Sequence, residues 1–104
     1  MQNSIRRYTT PTISLTVNKI DLTAYDVFVT FKSGNKTLTF TNDDISMTFE
    51  SPDTQIEIEF TQEQSALFSG QALCQINWLT TGGERNATCI RSVNFSPNLL
   101  DEVI

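Results

Sequence analysis

Residues 70–95 read Gly70-Gln-Ala-Leu-Cys-Gln-Ile-Asn-Trp78, then Leu-Thr-Thr-Gly82-Gly83-Glu-Arg-Asn-Ala-Thr-Cys89-Ile-Arg-Ser-Val-Asn-Phe95. Two stretches of alternating apolar and polar residues flank the Gly-Gly pair. Alternation with period two is typical of a half-buried strand, and glycine accepts the positive φ that tight hairpin turns need. The stretch therefore predicts a β-hairpin with Gly82 and Gly83 as its loop.

A two-residue loop sets the register of this hairpin. It places Trp78 opposite Ala87, Ile76 opposite Cys89 and Cys74 opposite Arg91. One face of the hairpin is then apolar and needs a second sheet to cover it; its members are Ala72, Cys74, Ile76, Trp78, Ala87, Cys89, Val93 and Phe95. The two cysteines are diagonal neighbours about 7–8 Å apart, which is too far for an unstrained disulfide, so we expect free buried thiols.

The rest of the chain repeats the alternating pattern between turn signals. Five further strands are predicted, over 12–18, 25–32, 36–41, 45–50 and 54–60. Thr61 with Gln64 three residues later is a capping-box signature, which predicts a short helical turn near 61–69. About seven strands with almost no helix indicate an all-β fold, a single immunoglobulin-like antiparallel β-sandwich; a small closed barrel is the alternative. The expected inward set is Ile13, Leu15, Val17, Val27, Val29, Phe31, Leu38, Phe40, Ile45, Met47, Phe49, Ile56, Ile58, Phe60, Ile76, Trp78, Val93 and Phe95.

The length and composition fit one globular domain. The chain has 104 residues, of which 38% are hydrophobic and 18% charged. We expect a flexible N-terminal arm over 1–11, the sandwich over 12–96 and a C-terminal tail over 97–104. The formal net charge is −5, which argues against a nucleic acid partner because phosphate binding needs a basic stripe.

No catalytic or metal-binding pattern stands out. The chain has no histidine, and so lacks the commonest general base and metal ligand. The adjacent Asp43 and Asp44 lie in a turn without the glycine and alternating carboxylates of a calcium loop. Glu57 and Glu59 alternate on an exposed strand face, where charges discourage edge pairing. We expect a protein that is not an enzyme and that uses no cofactor.

The N-terminal residues 1–12 lack the apolar core of a signal peptide, and no run reaches the roughly 20 apolar residues of a membrane span. We therefore expect no secretion by its own signal and no membrane partner.

Two features suggest contacts with other proteins. Phe28 is apolar on the outward side of its strand; either a neighbouring loop or edge side chain covers it, or it contacts a second subunit. The C-terminal tail is apolar, and we expect it to be docked, on its own domain or on a neighbour. The interface candidates are Phe28, Leu99, Leu100, Val103 and Ile104.

The order of motifs resembles a known family. A strand of the type Asp21-Leu-Thr-Ala-Tyr-Asp-Val-Phe-Val-Thr-Phe-Lys-Ser-Gly34 comes first. An amphipathic strand then ends in Thr-Gln-Glu-Gln, and a Gly-x-Ala-x-x-Gln-x-Asn-Trp strand leads to the Gly-Gly hairpin. This looks like the small β-sandwich proteins of structural gene clusters in tailed phages and prophages of Gram-positive bacteria. It is also similar to the N-terminal domain of phage baseplate upper proteins.

The resemblance implies a structural or assembly role in the phage virion tail or baseplate, without catalysis. The partners would be further copies of the protein or other virion proteins, and the location would be the virion or the host bacterial cytoplasm during assembly. From the residues alone, a carbohydrate-type ligand-binding sandwich is the alternative, because such sites need exposed aromatic and polar groups on one concave face.

Overall fold

The computed structural model describes residues 4–88 and 90–104. These residues form nine strands, a 3₁₀ turn and one short helix. The strands are β1 (Ser4–Arg6), β2 (Thr12–Val17), β3 (Asp26–Ser33), β4 (Lys36–Phe40), β5 (Ile45–Glu50), β6 (Asp53–Glu59), β7 (Gly70–Leu79), β8 (Arg85–Ala87) and β9 (Arg91–Ser96). The 3₁₀ turn is Asn42–Asp44 and the helix is α1 (Gln62–Ala66).

The strands make two sheets, and the predicted immunoglobulin-like sandwich is confirmed. Sheet A has the order β1-β9-β7-β3-β4, with β8 beside β7, and sheet B has the order β2-β6-β5. The order β9-β7-β3-β4 corresponds to strands G-F-C-C′ of an immunoglobulin sandwich, and β2-β6-β5 corresponds to B-E-D. The pairing of β1 with β9 is parallel, whereas the other pairings are antiparallel.

The core lies between the sheets, and it contains most of the predicted inward residues. Phenylalanine rings from both sheets meet there; the centroids of Phe31 and Phe60 are 5.2 Å apart in an edge-on arrangement. Phe68 follows α1 and packs against Phe95 at a centroid distance of 5.2 Å. The predicted capping box is present, since Thr61 Oγ1 accepts a hydrogen bond from Gln64 N and Gln64 Oε1 accepts one from Thr61 N.

Phe49 lies on the inner side of sheet B as predicted, because it pairs with the fully buried Thr54. It does not join the core, however, since its side chain is 40% exposed. Phe49 lies on β5, an edge strand of the three-stranded sheet B. Alternation identifies the face that a side chain occupies. It does not show whether the opposite sheet extends far enough to cover that side chain.

The predicted hairpin register is also wrong near the loop. Thr80 N donates to Glu84 O and Gly83 N donates to Thr80 O, so the loop has three residues, 81–83. Gly83 has a φ of +86°, as expected for the left-handed third residue of such a loop. The shift places Trp78 opposite Asn86, and Ala87 is exposed.

Further along the hairpin the predicted register returns. Cys74 pairs with Arg91 as expected. The chain has one residue more between Ala87 and Arg91 than between Cys74 and Asn77, so the pairing shifts back by one residue. The last predicted strand is divided into β8 and β9. The predicted pairing of Ile76 with Cys89 lies outside the described residues.

The N-terminal segment differs from the flexible arm that was predicted. Its residues 4–6 form β1, which adds a strand to sheet A, and Ile5 is buried beside Phe95. The residues after β1 are held by the fully buried Ser65 of α1. Its Oγ accepts a hydrogen bond from Thr9 N at 2.9 Å and lies 2.7 Å from Thr9 O. Residues 1–3 lie outside the described part of the chain.

Candidate interaction face

The outward side chains of β3 and β7 form a continuous surface, which we call the outer face of sheet A. Because β3 and β7 are antiparallel neighbours, outward residues of one strand lie directly opposite outward residues of the other. These pairs are Asp26–Leu79, Phe28–Asn77, Thr30–Gln75 and Lys32–Leu73. The strands β4 and β8 widen the surface, adding Thr39 beside Thr30 and Arg85 beside Leu79.

This face exposes large apolar side chains. Leu73 is 48% exposed, Leu79 39% and Phe28 38%, and Ile90 lies near them at 59%. Scattered exposed apolar residues are normal on soluble proteins. Here Phe28 and Leu79 are diagonal neighbours towards one end of the face, and Leu73 and Ile90 lie towards the other end. Several exposed apolar side chains on one face, interleaved with polar ones, are typical of an interaction site. Phe28 therefore has no complete cover from a loop or edge side chain.

Two adjoining depressions shape the face. The larger has a volume of about 440 Å³ and is lined by Phe28, Thr30, Thr39, Asn77, Trp78, Leu79 and Arg85. The smaller has a volume of about 270 Å³ and is lined by Thr30, Lys32, Leu73, Cys74, Gln75, Asn77, Arg85 and Ile90. The two depressions share Thr30, Asn77 and Arg85 in their linings, so they lie side by side on the face.

Hydrogen bonds hold the polar side chains of the face in place. Arg85 Nε donates to Asn77 Oδ1 at 3.3 Å, and the hydroxyls of Thr30 and Thr39 lie 3.2 Å apart. Gln75 Nε2 donates to Thr88 O at 2.9 Å, directly after β8. Side chains held in one arrangement lose less conformational entropy when a partner binds.

The loop before β3 is fastened to the core, which fixes the start of this strand. Thr54 is fully buried on β6, and its Oγ1 accepts from Leu22 N at 3.0 Å and donates to Ile20 O at 2.6 Å. Asn42 Oδ1 accepts from Val27 N at 2.6 Å. Asp26 thus begins the face from an anchored position.

The outer face of sheet B has a different character. A depression of about 300 Å³ is lined there by Thr12, Asp43, Asp44, Ile45, Ser46, Glu57 and Glu59. Asp43 and Asp44 of the turn thus lie close to Glu57 and Glu59 of β6, although the two pairs are far apart in the sequence. One of them has a local structural role, because Asp44 Oδ2 accepts from Thr41 N at 2.9 Å. Strands β2, β5 and β6 contain no lysine or arginine.

The predicted interface residues fall in two separate places. Phe28 lies on the outer face of sheet A, whereas Leu99, Leu100, Val103 and Ile104 are exposed in the tail. The side-chain amide of Gln62 on α1 holds the end of the tail: Ile104 N donates to Gln62 Oε1 at 2.7 Å, and Gln62 Nε2 donates to Ile104 O at 2.8 Å. The tail is attached to its own domain by polar groups, while its apolar side chains remain in water.

Sequence reasoning overlooked Leu73, Leu79 and Arg85. The first two alternate with Ala72, Cys74 and Trp78 along β7. The period-two pattern that identified the inner face was therefore sufficient to place both leucines on the outer face. Their position opposite β3 depended on a strand pairing that the sequence did not reveal.

Cys74 lies on the inner side of β7 as a buried free thiol. Burial raises the pKa of this thiol to about 11, an effect that nearby Arg91 opposes. The thiol is therefore protonated and unreactive at neutral pH. The predicted second free thiol, Cys89, lies outside the described residues.

Within residues 4–88 and 90–104, no three histidine, cysteine or acidic side chains are grouped so that they could hold a metal ion. Neither helical segment in this part of the chain has the length and hydrophobicity to cross a bilayer.

A scan against protein-family models found no match for the chain, and a search of curated proteins found none either.

Proposed function

We propose that the protein is a non-enzymatic structural or assembly module that acts through protein–protein contacts, with the outer face of sheet A as its main contact surface. The observation that carries this proposal is the group of exposed apolar side chains Phe28, Leu73 and Leu79, which lie among ordered polar groups. Interfaces combine apolar contact area with a modest number of hydrogen bonds in this way.

The biological setting that we propose is the tail or baseplate of a phage or prophage of a Gram-positive bacterium. The support for it is the order of motifs from Asp21 to Gly83. In this proposal the partners are further copies of the chain or other virion proteins, encountered in the host cytoplasm during assembly and retained in the virion. The exposed apolar tail is a second contact region.

The test is binding to purified products of the gene cluster that encodes the chain, this protein included, by light scattering and biolayer interferometry. We expect at least one of them to form a defined complex. Leu79→Glu should abolish that complex, because it places a carboxylate within an apolar contact. Thr48→Glu is the control, because Thr48 is an exposed strand position on sheet B and pairs with the uncharged Gln55; it should leave the complex intact.

Two results would overturn the proposal: no association with any of these products, or equal loss of binding in both variants. Circular dichroism and thermal unfolding of each variant exclude misfolding as the cause. Removal of 99–104 tests the tail separately, and should weaken the complex while the sandwich stays folded.

The depression of about 440 Å³ favours one alternative, a carbohydrate-type ligand site. Phe28 supplies an exposed ring there, and Asn77 and Arg85 supply polar groups that suit sugar hydroxyls. Trp78 contributes little ring surface, because its side chain is only 9% exposed. A glycan array without any binding would dispose of this alternative.

A further inference from the structure

We propose that the outer face of sheet A is a two-fold symmetric interface between two copies of this chain. The inference rests on the proposed function, in which this face makes protein–protein contacts, and it names the partner. A two-fold interface requires a surface that is complementary to itself. The outward residues of β3 and β7 meet this requirement.

The self-complementarity is centred on the pair Val29–Ile76. Three residues before Val29 lies Asp26, opposite Leu79; three residues after it lies Lys32, opposite Leu73. The two-fold axis runs parallel to the face and perpendicular to the strands, and it passes over this central pair. Rotation about it places β3 of the second copy on β3 of the first, and β7 on β7, with the strand directions reversed. Each residue of one copy then faces the residue at the mirrored position along the same strand.

This arrangement pairs opposite charges. Asp26 of one copy faces Lys32 of the second, and Lys32 of the first faces Asp26 of the second. Like charges stay apart, because six residues of strand separate the two positions by about 20 Å. Arg85 also avoids its own counterpart: it lies beside Leu79, whereas the mirrored position beside Leu73 holds Ser92.

The uncharged groups match as well. Leu79 of one copy faces Leu73 of the second, so the two exposed leucines cover each other. Asn77 faces Gln75, and each amide carries both hydrogen-bond donors and acceptors. Phe28 faces Thr30 of the second copy, at the depression of about 270 Å³ that Thr30, Leu73 and Gln75 help to line. A projecting ring is thus set against a concave surface.

Charge alone would also allow the outer face of sheet A to stack on the acidic face of sheet B in another copy. That arrangement buries Phe28 and Leu73 against Glu57 and Glu59, which would lose hydration without apolar contacts in return. The two-fold arrangement gives the apolar side chains apolar partners. The distribution of residues therefore favours it.

The size of the face sets the expected affinity. Eight residues of β3 span about 27 Å, and four neighbouring strands span about 19 Å. Such a surface is at or below the roughly 800 Å² per partner of a standard stable interface. We expect a reversible dimer that dissociates on dilution, with the strands of the two sheets within about 30° of each other, as in other face-to-face packings.

Charge reversal provides a sharp test, because Asp26 and Lys32 are both exposed and the variants should fold. Light scattering and sedimentation velocity from micromolar to near-millimolar concentrations give the dimer dissociation constant. Asp26→Lys alone or Lys32→Asp alone replaces both ion pairs with like-charge contacts, and should raise this constant by about tenfold or more, which is about 1.4 kcal/mol. The double variant should regain the dimer.

An equimolar mixture of the two single variants is the decisive sample. One copy then carries lysine at both positions and the other carries aspartate at both, so a mixed dimer restores both ion pairs. We expect the mixture to dimerise while each variant alone does not. Failure of the mixture and of the double variant to recover would refute the two-fold arrangement. Glu57→Lys is the control, and should leave the dimer unchanged; if it dissociates the oligomer, the stacked arrangement is the correct one.

Failure of this inference is distinguishable from failure of the proposed function. A wild-type monomer at every concentration overturns the two-fold dimer. If that monomer binds another product of its gene cluster through the face, the proposed function stands; if it binds none of them, both fail.

Discussion

Thr54→Val is the substitution whose effect on stability the structure defines best. Thr54 is fully buried, and valine has nearly the same shape, so the change replaces a hydroxyl with a methyl group and opens little space. The hydroxyl serves two backbone groups: it accepts from Leu22 N at 3.0 Å and donates to Ile20 O at 2.6 Å. Both groups lose this partner in the variant.

The expected loss follows from these two bonds. A buried polar group left without a partner costs about 1–3 kcal/mol. Leu22 is itself fully buried, which keeps water from its N–H, whereas Ile20 O lies nearer the surface and loses less. The added methyl group contributes about 0.8 kcal/mol in the opposite direction. We therefore expect Thr54→Val to lower the free energy of unfolding by about 2–3 kcal/mol.

Urea unfolding followed by tryptophan fluorescence measures this loss, with the dependence on urea expected to be unchanged. Thr54→Ser is the matched variant, because it keeps the hydroxyl and removes only the methyl group; it should be the more stable of the two. Thr48→Val, on the exposed side of β5, should change stability by less than about 0.5 kcal/mol. If Thr54→Val is as stable as the wild type, or more stable than Thr54→Ser, the two hydrogen bonds do not stabilise the loop as argued.

Three further outcomes are expected. Ser65→Ala should cost about 1–3 kcal/mol and speed hydrogen exchange at Thr9 N, whose acceptor it removes; unchanged exchange would contradict the anchoring of the N-terminal segment. Trp78→Phe should change stability by less than about 1 kcal/mol, because its buried indole N–H has no hydrogen-bond partner among the described residues and its removal offsets lost packing. This variant lacks the single tryptophan, so its urea unfolding is followed by circular dichroism; a loss above about 3 kcal/mol would show that packing dominates. Burial gives the Cys74 thiol a pKa of about 11 in the folded protein, against 9.0 for an ordinary thiol. Between these two pH values this thiol ionises only in the unfolded chain, so the free energy of unfolding should fall as the pH rises. Cys74→Ala should remove that part of the alkaline loss, and an identical pH profile would contradict the assignment.

Much of the fold was predictable because burial in a two-sheet sandwich imposes a period of two on each strand. The inward residues Val27, Val29 and Phe31 follow from that pattern, and they are fully buried. The same pattern assigns Phe28 to the outer face. The helix start at Thr61 was predictable for another local reason, since its capping box involves residues only three apart.

The failures have a common cause, which is dependence on contacts between distant residues. Ile5 has no periodic neighbours, so nothing local predicted that β1 would pair with β9. The register near Gly83 depended on one residue of loop length, and an extra residue before Arg91 then cancelled the error. The exposure of Phe49 depended on how far the opposite sheet extends.

The candidate site shows the same division. The sequence by itself determined which side chains alternate to the outside of each strand, because successive residues of an extended chain point to opposite faces. It also determined the absence of histidine and the acidic balance of the chain. Only the tertiary structure decided that β3 and β7 are neighbours centred on Val29 and Ile76. Strand pairing joins residues far apart in the chain through backbone hydrogen bonds that every residue type can make, and so the self-complementary order of Asp26 and Lys32 beside the two leucines appears only in the folded sheet.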